Sequence, residues 1–312
     1  MGFEHTSVMP NQVHAYQNLK PGDICVDCTL GGCGHAMATL KAIGSEGLLI
    51  GIDQDMDAIT NARKLFHPFG DNVRLYHNNF SDLPDILKDA GINGVNSILL
   101  DLGFSLNQLT QSKRGFSFKK DEPLDMRMDV RNSLTAHQVV NTYSEKQLAD
   151  IFFTYGEERF SRRMARAIIE KRACAPIATS LELAAVIEKA MPARAKAKQK
   201  IHPATRVFQA LRIAVNRELE RLETFMQAVP SMLVKGGRIS IISFHSLEDR
   251  IVKQRLRAFE NGCTCPRQFP QCICGFVKQM ESVTRKPVTA DADELKANPM
   301  ARSAKLRVAQ KI

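Results

Sequence analysis

No unbroken apolar stretch in the 312 residues approaches the roughly 20 that a membrane helix needs; the longest, around residues 48–52, spans only a handful. The opening Met1-Gly2-Phe3-Glu4-His5 has no basic segment followed by an apolar one, so a secretory signal is not expected. Internal repeats and low-complexity tracts are also lacking, and there is no tryptophan. What remains is an ordinary globular balance, 44% apolar and 24% charged, which excludes a disordered chain. The length suits one large domain or two smaller ones, and a cytoplasmic protein with no membrane partner is expected.

Acidic residues are the scarcer charge, 33 Asp and Glu against 43 Lys and Arg, for a net charge of +10. They are unevenly placed. Residues 1–110 hold 12 acidic and 6 basic side chains, residues 111–204 hold 11 and 18, and residues 205–312 hold 10 and 19. Between residues 194 and 217 there are seven basic residues and no acidic one. A basic two-thirds beside an acidic third predicts a polyanion-facing surface joined to a module that binds something else. For any single basic run, a solvated helix face is the competing explanation.

Cysteine usage fits a reducing compartment. Cys25, Cys28, Cys33 and Cys174 are scattered and read as small buried apolar residues. Cys263, Cys265, Cys272 and Cys274 form C-x-C-x6-C-x-C in a loop containing Pro and Gly. That cluster is able to offer four thiolates to a tetrahedral zinc; a reduced, metal-free loop is the alternative.

Residues 22–101 alternate strand and helix signals, the pattern of a parallel sheet. Strands are expected at 24–27, 48–53, 73–77 and 97–101, with helices at 35–43, 57–66 and 83–89 between them. Every strand but the third ends on an aspartate (Asp27, Asp53, Asp101), at the edge where open α/β sheets bind ligands. From about 133 to 191 the apolar spacing is helical, and strand signals return at 238–244, 282–288 and 304–309. The expected architecture is an α/β domain formed by 1–110 and 205–312, interrupted by a helical insertion at 111–204. The biased stretch 193–200 (ARAKAKQK) reads as an exposed basic loop.

The segment Asp27-Cys28-Thr29-Leu30-Gly31-Gly32-Cys33-Gly34-His35 follows a strand and opens a helix. Glycines there permit positive φ and let a ligand approach the backbone. Asp53, ending the next strand, is placed to hold two ribose hydroxyls. A dinucleotide pyrophosphate favours G-x-G-x-x-G, but Met37 stands where the third glycine would fall. Asp27 would repel phosphates, whereas it suits the ammonium of a methionine moiety. Asn78, Asn79 and Phe80 offer polar groups and a ring for adenine. S-adenosylmethionine is therefore the expected ligand; helix capping would account for each aspartate singly but not for their common location.

Longer strings extend this reading. They include His5-Thr6-Ser7-Val8-Met9, Leu99-Leu100-Asp101-Leu102-Gly103, Arg114-Gly115-Phe116-Ser117-Phe118 and Pro123-Leu124-Asp125-Met126-Arg127-Met128-Asp129. Tyr155-Gly156-Glu157-Glu158-Arg159-Phe160, His202-Pro203-Ala204-Thr205-Arg206, Phe208-Gln209-Ala210-Leu211-Arg212 and Ser243-Phe244-His245-Ser246-Leu247-Glu248-Asp249-Arg250 follow. On these strings the chain resembles the 16S ribosomal RNA (cytosine N4)-methyltransferase family, also called the MraW family, nearly end to end. The resemblance implies a Rossmann-like methyltransferase sheet with an inserted helical domain. It also implies methyl transfer from S-adenosylmethionine to N4 of a decoding-centre cytidine, conventionally numbered 1402, with 16S rRNA in the small ribosomal subunit as partner. Cofactor contacts are implied at Cys33, Gly34, His35, Asp53, Phe80, Asp101 and Gln108. The chain departs from the family pattern at Cys33, where glycine is usual and a cysteine predicts ordinary φ, and in the loop Phe104-Ser105-Leu106-Asn107.

An exocyclic cytosine amine is a poor nucleophile, so positioning and an acceptor for its hydrogens are needed. Asp101 is the candidate acceptor; orienting the methionine ammonium is its other candidate role. N-methylation requires no covalent adduct, so Cys33 is read as packing. RNA contacts are expected from Arg114, Arg127, Arg206 and Arg212, with Lys196, Lys198 and Lys200 on the basic loop and Phe116 and Phe118 stacking on an unpaired base. His202 and His245 are read equally as helix caps or RNA contacts, and Phe208, Leu211 and Val215 as core. Asp101-Leu102-Gly103-Phe104 is not the Asp-Pro-Pro-Tyr of DNA amino-methyltransferases, so DNA is not an expected partner. The alternatives are an amino-methyltransferase of another nucleic acid and a non-catalytic ribosome-assembly factor, against which Gly34, Asp53 and Asp101 argue.

Overall fold

Strands that read as continuous apolar runs are those a parallel sheet buries on both faces. In the computed structural model, which describes residues 7–103, 112–198, 201–266, 268 and 273–312, they do so. Strands β1 (Ile24–Asp27), β2 (Leu48–Asp53), β3 (Val73–His77), β4 (Val95–Asp101), β5 (Leu233–Ser243), β6 (Met280–Ser282) and β7 (Lys305–Lys311) form one seven-stranded sheet. Its order is β3-β2-β1-β4-β5-β7-β6, with β1 to β5 mutually parallel and β7 antiparallel to both of its neighbours.

Alternate side chains face opposite sides of a strand, and the two faces carry separate cores. Val26, Ile50, Ile98, Leu100, Ile239 and Ile241 pack with Leu83 and Ile86 of α4 (Leu83–Asp89), and with Leu222, Phe225 and Val229 of α11 (Glu218–Met232). Val252 and Leu256 of α12 (Ser246–Asn261) complete that side. On the other face, Cys25 and Leu49 meet Ala36, Leu40 and Ile43 of α2 (Gly34–Ile43) and Ile59, Ala62 and Phe66 of α3 (Met56–Phe66). Leu99, Ile242, Leu306 and Val308 meet Val13 of α1 (Pro10–Gln17) there. None of the described helices is long and apolar enough to cross a membrane.

The second unit is helical: α5 (Ala136–Thr142), α6 (Glu145–Gly156), α7 (Ser161–Cys174), α8 (Ser180–Ala190), α9 (Ala193–Lys198) and α10 (Ala204–Asn216). Capping boxes open three of these, Thr135 with Gln138, Ser144 with Gln147 and Thr179 with Glu182, each satisfying two otherwise orphaned backbone groups. Phe152, Met164, Ile168, Leu183, Ile187, Val207 and Leu211 form a core of their own.

Three features differ from the sequence expectation. The compact units are 1–103 with 219–312, and 104–218, so the second boundary lies at 219 rather than 205. The reason is α10: Val207, Phe208, Leu211 and Val215 are core, as expected, but the core is that of the helical unit. A Cβ added at Gly156 would come 2.7 Å from the Arg206 carbonyl oxygen, so α6 and α10 approach closely through that glycine. The stretch read as a basic loop is helix α9 over its described part, because Ala and Lys are good helix formers. The strand expected at 282–288 is the short β6, followed only by a bridge of Val288 to Leu306.

Asn216 locks the end of α10. Its side chain is buried; Oδ1 accepts from the Met128 amide at 2.8 Å, and Nδ2 donates to the carbonyls of Met126 at 2.8 Å and Arg212 at 2.9 Å. Asn216→Ala leaves a buried N–H and C=O of the 126–128 turn unpaired, at about 1–3 kcal/mol each. The variant is expected to lose about 2–4 kcal/mol of stability by equilibrium denaturation; a loss below about 0.5 kcal/mol would mean that water replaces the amide.

Candidate active site

Open α/β sheets bind ligands beyond the carboxyl ends of their strands, where the strand order reverses. Here the reversal falls between β1 and β4, and those two strands end on Asp27 and Asp101. Thr29 ties the two together: its amide donates to Asp27 Oδ1 at 3.1 Å, and its hydroxyl oxygen accepts from the Asp101 amide at 2.8 Å. Each carboxylate keeps one buried oxygen, Asp27 Oδ2 and Asp101 Oδ1, without a hydrogen-bond partner among the described residues. His35, at the start of α2, brings Nε2 to 3.9 Å from Asp101 Oδ2.

Asp53, at the end of β2, accepts from the Gly31 amide through Oδ2 at 2.9 Å and from the Asp55 amide through Oδ1 at 2.8 Å. The glycine turn is thus pinned to the β2 aspartate, and each carboxylate oxygen retains a lone pair for a further donor. At Gly34 an added Cβ would fall 2.1 Å from Ser7 Oγ, so the segment before α1 lies directly on the turn. Ser7, whose buried Oγ lacks a partner among the described residues, is a polar group that reading the motifs alone did not assign.

Cys33 is a correction. It takes φ 67° and ψ 13°, the left-handed conformation of the glycine it replaces, rather than an ordinary φ. Burial of its side chain among Cys25, Leu30, Ala36 and Ile59 compensates the local strain of about 1–2 kcal/mol. Burial, then Asp27 and Asp53, push its thiol up to about 12, as the packing role requires. Phe80 follows β3, but its ring is nearly buried, edge-to-face on Phe225 at 5.5 Å. Asn79 spends Oδ1 on the Ser81 amide and Nδ2 on Gln54 Oε1. Gln108 lies outside the described residues.

Burial governs the electrostatics. It raises Asp27 to about 7, with Asp53 adding to the shift, and raises Asp53 to about 6. Asp101 is raised well above the ordinary carboxylate range by burial, then by Asp27 and Glu248. Glu248 belongs to a turn that motif reading left uncommitted: it accepts from the Phe244 and His245 amides, while His245 Nδ1 caps α12 by accepting from the Glu248 amide. His245 is therefore a helix cap. Buried carboxylate oxygens without partners are costly, and a cation is what relieves them. The ammonium-bearing, positively charged S-adenosylmethionine fits this donor set, and a pyrophosphate does not.

The arginines expected on RNA are largely used inside the helical unit. Arg114 donates to the carbonyls of Arg127 and Met128 and lies over the buried Phe116 ring. Arg127 clasps Asp125 with Nε and Nη2 and donates to the carbonyls of Val130 and Asn132. Arg212 is buried in a two-point pair with Glu218. Phe118 stacks on His202 at 4.6 Å and meets Phe208 edge-on, while His202 Nδ1 accepts from the Ala204 amide. These side chains help to build the unit. Arg206 is 3.5 Å from the buried Glu158, and Lys196 is paired with Glu188. The side chain of Lys198 and the whole of Lys200 lie outside the described residues.

A basic surface that charge counting passed over lies elsewhere. Arg163, Arg166 and Lys171 of α7 and Lys189 of α8 line a groove of about 610 Å³ with Glu170. Arg163 donates to the Ala190 carbonyl and Arg166 lies 3.5 Å from Glu145, whereas Lys171 and Lys189 make no ion pair among the described residues. The signal in the sequence was the spacing of Arg162, Arg163 and Arg166 on one amphipathic helix. Of the scattered cysteines, Cys25, Cys28 and Cys33 are buried as expected, but Cys174 is exposed at the end of α7. Cys263, Cys265 and Cys274 come together, and Cys272 lies outside the described residues.

A sheet of this order with a glycine turn after β1 and acids ending β1, β2 and β4 defines a Rossmann-like α/β fold of the methyltransferase type. Residues 2–312 match the MraW methylase family, and the chain belongs to that family of S-adenosylmethionine-dependent methyltransferases. It is 60% identical over 312 residues to the ribosomal RNA small subunit methyltransferase H of Desulforapulum autotrophicum, covering 100% of both chains. Proteins of the same description from Desulfosudis oleivorans and Brevibacillus brevis are 50% and 46% identical, over 100% of this chain and 100% and 99% of theirs.

The raised aspartates set a pH dependence. A carboxylate whose folded pKa exceeds its unfolded value stabilises most below the unfolded value, and that contribution is lost as pH rises through the folded one. For Asp27 this window runs from 3.8 to about 7. Asp27→Asn is expected to raise donor-free stability at pH 8 relative to wild type and to flatten its fall across that window. Denaturation curves of both proteins at several pH values check this; parallel pH profiles would show that Asp27 is not held protonated.

Proposed function

We propose that the chain transfers a methyl group from S-adenosylmethionine to the N4 amine of a cytidine in 16S rRNA, position 1402 in conventional numbering, in the small ribosomal subunit. The observation that carries the reading is the pair of unpartnered buried carboxylate oxygens on Asp27 and Asp101, at the reversal of strand order. Family membership and the relatives' shared description support an rRNA substrate, and the resemblance supplies the cytidine. The free thiols among the described cysteines suit a reducing cytoplasm.

Residues of this chain divide the work. Asp27 receives the ammonium of the donor, Asp53 the ribose hydroxyls, and the backbone of residues 31–34 lies alongside, with Cys33 contributing main chain only. When bound, S-adenosylmethionine supplies an electrophilic methyl carbon on a positively charged sulfur. That charge draws the raised carboxylates back toward their ionised forms. Asp101 then accepts an N4 hydrogen, which localises the nitrogen lone pair and takes up the proton lost on methylation. His35 holds the Asp101 carboxylate from the α2 side. The helical unit grips RNA phosphates through the groove of Lys171 and Lys189, with the cytidine unpaired or flipped to expose N4.

Incubation with small subunits or 16S rRNA, followed by nuclease digestion and mass spectrometry, should give N4-methylcytidine; methylation at carbon 5 or on another base would remove the amine reading. Asp101→Asn should lower turnover by about 10²–10⁴-fold with RNA affinity near normal. Asp53→Ala should weaken donor binding by about 1.5–3 kcal/mol in a calorimetric titration.

The RNA surface has its own test. Replacing Lys171 and Lys189 with glutamine should weaken RNA binding and reduce the salt slope by up to about 0.7–0.9 per lysine, with donor affinity unchanged. An unaltered slope would show that the groove faces solvent only.

A further inference from the structure

The connection from α12 to β6 runs from residue 262 to 279, with no helix or strand among its described residues. Loops of that length without regular structure are uncommon in compact domains. This one also carries two large apolar side chains in solvent, Ile273 and Val277, each about three-quarters exposed. A segment with so little core of its own is held in place by cross-links.

Three sulfurs of the connection come together. Sγ of Cys263, Cys265 and Cys274 all lie within 4.8 Å of one another. Cys263 and Cys274 are 3.7 Å apart, far beyond the ~2.05 Å of a disulfide. Two thiolates on one tetrahedral zinc, each ~2.3 Å from the metal, stand ~3.8 Å apart. The Ile273 amide donates to Cys265 Sγ at 3.3 Å, which fixes that sulfur within the cluster. The other described cysteines offer no rival cluster: burial pushes the thiols of Cys25, Cys28 and Cys33 up, and Cys174 stands at the end of α7.

We propose that Cys263, Cys265 and Cys274 bind a zinc ion that staples the 262–279 loop. Binding displaces the thiol protons to solvent and leaves three Zn–S bonds with no change in oxidation state. The thiolate set selects a soft, tetrahedral cation over magnesium or calcium. The site is separate from the donor pocket and takes no part in methyl transfer.

Full-length protein purified without chelator should contain about one equivalent of zinc by plasma mass spectrometry. Cys263→Ser, Cys265→Ser and Cys274→Ser should each lose at least about tenfold of that metal, while Cys174→Ser retains it. To keep the result independent of variant folding, reduced metal-free wild type should be titrated with cobalt(II). Thiolate-to-cobalt charge-transfer bands together with the intense visible bands of a tetrahedral ion are expected. Absence of both zinc and cobalt bands would overturn the proposal. So would a mass 2 Da below the reduced chain from a Cys263–Cys274 disulfide in metal-free protein, or equal metal loss in Cys174→Ser.

Discussion

Burial of carboxylate oxygens that accept no hydrogen bond among the described residues is the constraint on which the sheet unit turns. Asp27 and Asp101 stand at the ends of adjacent parallel strands, and each presents an oxygen without a partner among the described residues. A fold selected for stability alone would replace such groups with apolar or amide side chains, because unpaired buried polar atoms cost free energy. Such a pair of oxygens favours a cation. The glycine turn, the Asp53 brace and the Thr29 link then serve to hold that pair in place.

Charge is partitioned by unit rather than by thirds of the chain. Residues 104–218 hold 21 Lys and Arg against 12 Asp and Glu, whereas the sheet unit, 1–103 with 219–312, holds 22 against 21. Nearly all of the +10 excess thus belongs to the helical unit. The acidic character of the first 110 residues is offset within the sheet unit by its own C-terminal segment. The excess of basic residues and the buried strand-end aspartates thus belong to units with separate cores.

Sequence reasoning recovered the sheet because a parallel strand buried on both faces is an apolar run ending at its ligand edge, as residues 24–27 and 48–53 show. It misplaced the return from the insertion because α10 is amphipathic, and periodicity says that a helix has a buried face without saying which core receives it. It gave arginines to RNA without seeing their partners inside the helical unit. Arg127 had its partner Asp125 two residues away, a signal that was available; Arg114 is consumed by carbonyls 13 and 14 residues distant, a signal that was not. Cys33 shows the opposite case. Residue type predicted ordinary φ, but the turn imposed the left-handed conformation and the core received the thiol.

The position of the insertion follows from the chemistry at the sheet edge. The helical unit begins at residue 104, three residues after Asp101 and directly beyond the end of β4. A chain that leaves the sheet there leaves from the ligand edge, the side on which β1, β2 and β4 end in Asp27, Asp53 and Asp101. The unit that follows Asp101 in sequence holds most of the net positive charge. Sequence order alone therefore sets Asp101 on the last strand before the basic unit, whereas the cysteine loop lies far along the chain, between α12 and β6.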